Sequence, residues 1–274
     1  MDTLVSTAWL SEHLDDDDLI VLDCTVKTVE EEGGLHNHSG RPGYDAGHIP
    51  GAGFADLFEL CDPEPEFAVP APQRFCDAMG ELGVGDESRV VLYDRGLSFW
   101  AARVWWMLRW IGFDRAALLD GGFKVWRAED RPLSVAPDNH PARTLSCNLR
   151  PSLIANRDQV REAIDDDDVQ LIDTLPEPSY RGEMTLYGRP GHIPGAVNLC
   201  TMALLDESGR YRPDAELAAM HSFDPDSRTI TYCGGGIMAS ASAFAMTRLG
   251  YRDVAVYTAS LQEWAADPDN PMTS

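Results

Sequence analysis

Basic residues are scarce in this sequence, and lysine is almost absent. The 274 residues include 45 Asp and Glu against 22 Lys and Arg, a formal net charge of -23, and the only lysines are Lys27 and Lys124. So acidic a chain repels phosphate backbones and anionic lipid, which makes nucleic acids and membrane surfaces poor candidate partners. An acidic, lysine-poor surface would suit a high-salt medium, but a GC-rich gene explains the preference for arginine more simply.

Long apolar runs and paired cysteines are missing as well. No stretch approaches the roughly 18–20 apolar residues that cross a bilayer, and the first residues lack the basic region and apolar core of a signal peptide. The six cysteines show no Cys-x-x-Cys pair and no paired spacing, which argues against a disulfide framework and a cysteine-based zinc site. We therefore expect a cytoplasmic protein that requires no metal, and no motif for a nucleotide or organic cofactor occurs.

The two halves of the chain repeat three segments in the same order. The pairs are LIVLDCT at 19–25 with VQLIDTL at 169–175, RPGYDAGHIPGA at 41–52 with GRPGHIPGA at 188–196, and RVVLYD at 89–94 with RTITYC at 228–233. Ordered repeats of this kind indicate a duplicated domain. We predict domains at 1–135 and 150–274, joined by a proline-containing linker at 134–152.

Strand and helix patterns alternate within each copy, which is typical of the α/β class. Short apolar runs of β-branched residues predict buried parallel strands, and longer stretches with apolar residues at helical spacing predict helices. We expect each domain to be a parallel β-sheet with helices on both faces. The predicted strands are 19–22, 89–93, 117–119, 169–172, 229–232 and 254–257, and the predicted helices are 99–111 and 238–249.

The second copy contains a cysteine in a reactive setting, within TITYCGGGIMASASAFAM at 229–246. A predicted strand ends at Cys233, three glycines follow, and a helix opens near Ile237. Glycines permit a sharp turn, and the helix N-terminus adds partial positive charge and free N–H groups. This environment favours a nucleophilic thiolate over a merely buried structural cysteine. The first copy has Asp94 at the matching position.

A tandem pair in which each copy carries GHIPGA, and in which the second ends a strand in YC before a glycine loop, resembles the two-domain rhodanese-type sulfurtransferases. RVWWMLR at 103–109 and LLDGGFKVW at 118–126 also resemble the non-catalytic first domain of that family. The resemblance implies a thiosulfate or 3-mercaptopyruvate sulfurtransferase without a cofactor. Cys233 would carry a sulfane sulfur as a persulfide and pass it to a thiol or cyanide. With Asp94 in place of cysteine, the first domain would be inactive.

The loop after Cys233 departs from both family patterns. Thiosulfate-type members resemble C-R-K-G and mercaptopyruvate-type members C-G-S-G, whereas this loop has neither a cation nor a hydroxyl. Its lack of charge favours mercaptopyruvate as the donor, and the D-G-S-W segment of the family reads Thr258-Ala259-Ser260-Leu261 here, which weakens any role for it. The candidate donor-binding residues are Gly234, Gly235, Gly236, Ile237 and Met238, together with two cations from the preceding loop, Arg181 and Arg189.

Two other functions remain open from the sequence. A cysteine phosphatase of the C-x5-R type would need an arginine where Ala239 stands, which argues against it. A non-enzymatic rhodanese-like binding module would have no reason to keep Cys233 with its glycine loop. His48 and His192 occur in both copies, so we interpret them as structural. We expect small-molecule partners only, and a monomer or homodimer.

Overall fold

The computed structural model describes residues 1–32, 34–137, 140–221 and 223–274. Asp138 and Asn139, which belong to the predicted linker, lie outside the described residues. The chain divides into two compact units, Met1–Leu149 with Glu207–Arg210, and Arg150–Asp206 with Tyr211–Ser274. Each unit therefore holds one copy of the sequence repeat.

The first unit is built on a parallel sheet. Along the chain its elements are β1 (Leu4–Val5), α1 (Thr7–His13), β2 (Leu19–Asp23), β3 (Val26–Glu31), β4 (Gly34–Ser39), α2 (Arg41–Ala46), β5 (Gly53–Phe54), α3 (Leu57–Leu60), α4 (Pro72–Glu81), β6 (Arg89–Tyr93), α5 (Phe99–Trp110), β7 (Ala116–Leu119) and α6 (Gly122–Ala128). In the described residues the sheet order is β1-β7-β6-β2-β5, and β3 and β4 form a separate antiparallel hairpin.

The second unit repeats this sheet. Its elements are β8 (Ile154–Ala155), α7 (Arg157–Ala163), β9 (Val169–Asp173), α8 (Glu177–Tyr180), β10 (Val197–Asn198), α9 (Asp214–Met220), β11 (Arg228–Tyr232), α10 (Ile237–Arg248), β12 (Val254–Tyr257) and α11 (Ser260–Trp264), with short 3-10 turns at Pro151–Leu153 and Thr201–Leu204. The order of its described strands is β8-β12-β11-β9-β10, which is the topology of the first sheet.

The central strands form because their residues are apolar and branched and are covered by helices. All of β2 is buried, and the apolar residues of β6 and β12 are too, as expected for parallel strands with both faces covered. In the second unit β9 and β11 run in register, so that Asp173 lies opposite Tyr232 where both strands end. Helices flank both sheets, which confirms the predicted fold class.

Two features of the structure add to the sequence interpretation. The described residues of the predicted linker are held against the first unit, because Arg143 N–H donates to Gly80 C=O at 2.9 Å and Ser146 N–H to Asp86 at 2.7 Å. The β3–β4 hairpin was not predicted, since its residues are polar and mostly exposed. No helix of the described chain is long and apolar enough to cross a membrane.

Candidate active site

Cys233 lies at the carboxyl end of β11, in the turn that leads into α10. The residue is 2% exposed, and its Sγ accepts a hydrogen bond from the Gly236 N–H at 3.1 Å. Gly236 has φ +81° and directly precedes the helix, so the chain turns sharply between the strand and the helix at the residue whose amide binds the sulfur. The strand end and the helix N-terminus thus meet at one sulfur atom, as ligand sites in open α/β sheets do.

The turn between β12 and α11 holds the main chain of Cys233 in place. Ser260 Oγ accepts from Cys233 N–H at 3.1 Å and donates to Tyr257 C=O at 2.6 Å. The carbonyls of Cys233 and Gly234 accept from the N–H groups of Leu261 and Gln262. Ser260 belongs to the segment 258–261, which departs from the D-G-S-W pattern and for which we therefore expected no role. Its hydroxyl nevertheless binds the main chain of Cys233 directly.

The equivalent turn of the first unit holds a carboxylate instead of a thiol. Asp94 is fully buried, and its Oδ1 accepts from the N–H groups of Gly96 and Ser98 at 2.8 and 3.0 Å. Its Oδ2 accepts from the N–H groups of Trp100 and Ala101 at 3.0 and 3.1 Å. Four amides around one charged group make an anion cradle, which the chain fills with its own side chain.

Alignment of the two helix starts shows which backbone amides of the second unit lack an acceptor within the described residues. Ser98 and Gly236 both precede a helix with a left-handed backbone, at φ +62° and +81°. The amides of Met238 and Ala239 therefore hold the places of the two that bind Asp94 Oδ2. Among the described residues neither amide has an acceptor. The second unit thus has donors for one anionic atom beyond the sulfur of Cys233.

Two of the loop glycines make room for side chains from elsewhere. A Cβ atom at Gly234 would lie 1.9 Å from both Cζ and the hydroxyl oxygen of Tyr187, and one at Gly235 would lie 2.9 Å from Gln262 Oε1. Of the three, only Gly236 has a positive φ. Close approach, rather than backbone freedom, is therefore what the first two glycines provide.

Tyr187 and Asp173 are the titratable groups nearest this loop that the sequence interpretation missed. Burial, the charge of Cys233 and the charge of Asp173 raise the pKa of Tyr187 to about 12. Burial also raises the pKa of Asp173 to about 6, against the lowering effect of hydrogen bonds with the Leu175 amide and the Tyr232 side chain. Its Oδ1 accepts from Leu175 N–H at 2.8 Å. No local pattern marks either residue, because both reach the loop only through the fold.

The two arginines expected to bind the donor are engaged by other groups. Arg181 is exposed and forms an ion pair with Glu177, one helical turn earlier. The Arg189 guanidinium donates to main-chain carbonyls of the C-terminal segment, those of Ala265, Asp267 and Asn270, at 2.8–3.1 Å. No contact joins either arginine to Cys233 in the described part of the chain, so their role as donor ligands stays a prediction.

The structure also places the other residues that the sequence analysis named, at the start of α10 and in the two GHIPGA segments. Ile237 and Met238 are the first residues of α10 and are partly exposed beside the sulfur. His48 and His192 share a main-chain contact in the two units, since each pairs with a later segment, at Ser134 and Thr273. This equivalence supports their structural interpretation. Metal-binding groups of three or more His, Cys, Asp or Glu do not occur within the described ranges.

Comparison with known proteins places the chain in a family. The family described as Rhodanese-like domain matches residues 6–129 and 156–267, so both units are of this kind and the chain belongs to the rhodanese-like family.

Relatives of nearly the same length define its class. The chain is 32% identical to the 3-mercaptopyruvate sulfurtransferase of Escherichia coli (strain K12), over 98% of this chain and 96% of that protein. It is 33% identical to the thiosulfate sulfurtransferase of Gallus gallus, over 95% and 92%. The crystal structure of SseA from Escherichia coli, a 3-mercaptopyruvate sulfotransferase with the rhodanese fold, superposes with a TM-score of 0.84 at 30% identity, over 95% of this chain and 99% of that one. The chain is an enzyme of the sulfurtransferase class.

Proposed function

We propose that this enzyme takes a sulfane sulfur from 3-mercaptopyruvate in preference to thiosulfate, and passes it through a persulfide on Cys233 to a thiol or cyanide. The observation that carries the proposal is the pair of unused amides at Met238 and Ala239. In the first unit the matching amides bind a second anionic atom, Asp94 Oδ2. In the second unit we expect them to hold the outer sulfur of a persulfide or an oxygen of the donor.

The transfer needs no oxidant and no cofactor. The thiolate of Cys233 attacks the sulfur of the donor, so an S–S bond forms while the bond from that sulfur to carbon breaks. The electron pair of the broken bond leaves with the pyruvate enolate, and the proton of the donor thiol ends on that enolate. The acceptor then attacks the outer sulfur and releases the thiolate.

The preference for mercaptopyruvate follows from the charges around the loop. Backbone amides and a helix N-terminus stabilise a single negative charge but supply no full positive charge for a second one. The loop residues 234–236 are all glycine, and the candidate cations Arg181 and Arg189 bind Glu177 and the C-terminal carbonyls. A dianionic donor such as thiosulfate is therefore served less well than a keto acid.

A paired donor assay tests the proposal. Wild type and Cys233→Ser are assayed with 3-mercaptopyruvate and with thiosulfate, with cyanide as the acceptor. We expect kcat/KM to favour mercaptopyruvate and the serine variant to be inactive with both donors. A preference for thiosulfate would refute the donor assignment, and turnover by the serine variant would refute the persulfide route.

The cytoplasmic location and the monomeric or homodimeric state remain part of this proposal. Light scattering on the purified protein measures the second directly. A larger assembly would contradict it.

A further inference from the structure

The hydroxyl group of Tyr187 occupies the space beside Gly234. The Tyr187 phenol lies against Gly234, the residue next to Cys233, so closely that a Cβ atom there would overlap the hydroxyl oxygen. Tyr187 is half-buried, so part of its side chain is accessible to a bound molecule. The glycine loop has no hydroxyl of its own, and this phenol lies beside it.

In the first unit a different side chain lies beside the equivalent turn. There the residue after Asp94 is Arg95, whose Nε faces Asp23 Oδ2 at 3.4 Å and whose guanidinium lies 3.8 Å from the ring centre of Phe123. Asp23 ends β2 as Asp173 ends β9.

In the second unit Gly234 stands at the place of Arg95, so no arginine of this loop faces the strand-end acid Asp173. The Tyr187 phenol lies against this loop instead.

We propose that the Tyr187 hydroxyl donates a hydrogen bond to the donor oxygen on which negative charge develops as the leaving group departs from the sulfur. This inference rests on the proposed function, and it names a catalytic residue for it. With mercaptopyruvate the S–C bond breaks, the electron pair is delocalised onto the keto oxygen as an enolate, and the phenol donates to that oxygen. The proton of the donor thiol then reaches the methylene carbon, which gives pyruvate.

The protonation state of Tyr187 suits this task. With its pKa raised to about 12, the phenol keeps its proton throughout the physiological range and is always a donor. A hydrogen-bond donor aimed at a developing oxyanion contributes about 10²–10³ in rate in other enzymes. The discharge of the persulfide to cyanide produces no enolate, so the phenol has no part in that half-reaction.

The test separates the two half-reactions in Tyr187→Phe. Loading of Cys233 from mercaptopyruvate is followed in a single turnover by the mass gain of one sulfur atom, and discharge to cyanide is followed on protein loaded beforehand with inorganic polysulfide. We expect loading to slow about 100-fold while discharge stays at the wild-type rate. Tyr251→Phe is the control. Tyr251 precedes β12, at the end of the strands opposite to Cys233, and its hydroxyl donates to Phe223 C=O. This variant should therefore load sulfur at the wild-type rate.

Two results would overturn the assignment. Loading within twofold of wild type would show that the hydroxyl does no chemistry, and an equal loss in both half-reactions would show that it acts on Cys233 itself. Wild-type protein that gains no sulfur from mercaptopyruvate or from thiosulfate would instead refute the proposed function.

Discussion

At the scale of single residues, Cys233 obtains its environment from main-chain groups. Its sulfur accepts from the Gly236 amide, its own N–H is bound by Ser260, and its carbonyl is bound by the Leu261 amide. Amides fixed by strand and helix geometry need no reorganisation during the reaction. The reactivity of the cysteine is therefore a property of the turn that holds it.

Ser260 gives a residue-scale prediction about positioning. Its φ of +52° lies in the left-handed region, and the matching residue of the first unit is Gly122, at +53°. Ser260→Gly therefore relieves roughly 1 kcal/mol of backbone strain but removes the acceptor of the Cys233 N–H. We expect kcat to fall about fivefold, since one hydrogen bond contributes about 1 kcal/mol. The melting temperature should fall only slightly, because the relief of strain offsets part of the loss of the two hydrogen bonds that the hydroxyl makes. Equal kcat values in the two proteins would show that the anchor is not needed.

Asp173 gives a pH-dependent prediction about stability. Its pKa rises from an ordinary 3.8 to about 6 in the folded protein, so the folded state binds the proton more tightly than the unfolded state. Stability is lost as pH rises through this window, by about 3 kcal/mol at full ionisation. Asp173→Asn avoids this loss and keeps an oxygen for the Leu175 amide.

The measurement is denaturant unfolding of wild type and Asp173→Asn at pH 4 and pH 8. The variant should be the more stable of the two at pH 8, and its advantage should vanish near pH 4. A difference in the free energy of unfolding that does not change with pH would contradict the buried, raised carboxyl.

At the scale of elements, α5 and α10 begin with the same geometry but serve different groups. In α5 the first amides are saturated by Asp94, and in α10 those of Met238 and Ala239 remain unused within the described chain. One helix start is structural and the other is open to a ligand. This difference, rather than the fold, distinguishes the two copies.

Asp94→Ala tests the structural half of that contrast. Removing the carboxylate leaves four buried amides without an acceptor, and we expect a loss of about 3 kcal/mol of unfolding free energy. Added formate should restore part of this stability by entering the emptied cradle. The kcat of the folded variant should stay near the wild-type value; a collapse of turnover in folded protein would show that the first unit takes part in the chemistry.

The glycine loop gives an element-scale prediction about donor choice. Gly235 has no left-handed backbone, and its nearest neighbour is the flexible Gln262 side chain, so the position accepts a side chain. Gly235→Lys should raise the thiosulfate-to-mercaptopyruvate ratio of kcat/KM about tenfold, equivalent to about 1.4 kcal/mol, with Gly235→Ala as the uncharged control. If lysine and alanine give the same ratio, loop charge does not set donor choice.

The sequence predicts some of these elements well, for identifiable reasons. The buried strands are apolar runs, so β6 and β12 begin and end as expected, and α10 begins one residue before the predicted start. The hairpin β3–β4 has no such pattern. The contact of Tyr187 with Gly234 and the anchor at Ser260 join residues far apart in the chain, which no local periodicity encodes.

At the scale of the whole molecule, the chain contains two copies of one domain that differ at the turn after the central strand. Each unit repeats the same sheet order and the same turn after its central strand. In the first unit Asp94 fills the anion cradle, and in the second we propose that the donor enters it. We therefore expect one sulfur to be carried per chain.

The central claim is that Cys233 alone carries this sulfur. The most direct measurement is mass spectrometry of intact and digested protein after treatment with 3-mercaptopyruvate and no acceptor, for wild type and Cys233→Ser. The account predicts one added sulfur per wild-type chain, on the peptide that contains Cys233 and removable by cyanide, and none on the folded serine variant. Sulfur on any of the other five cysteines, or on the serine variant, would contradict it.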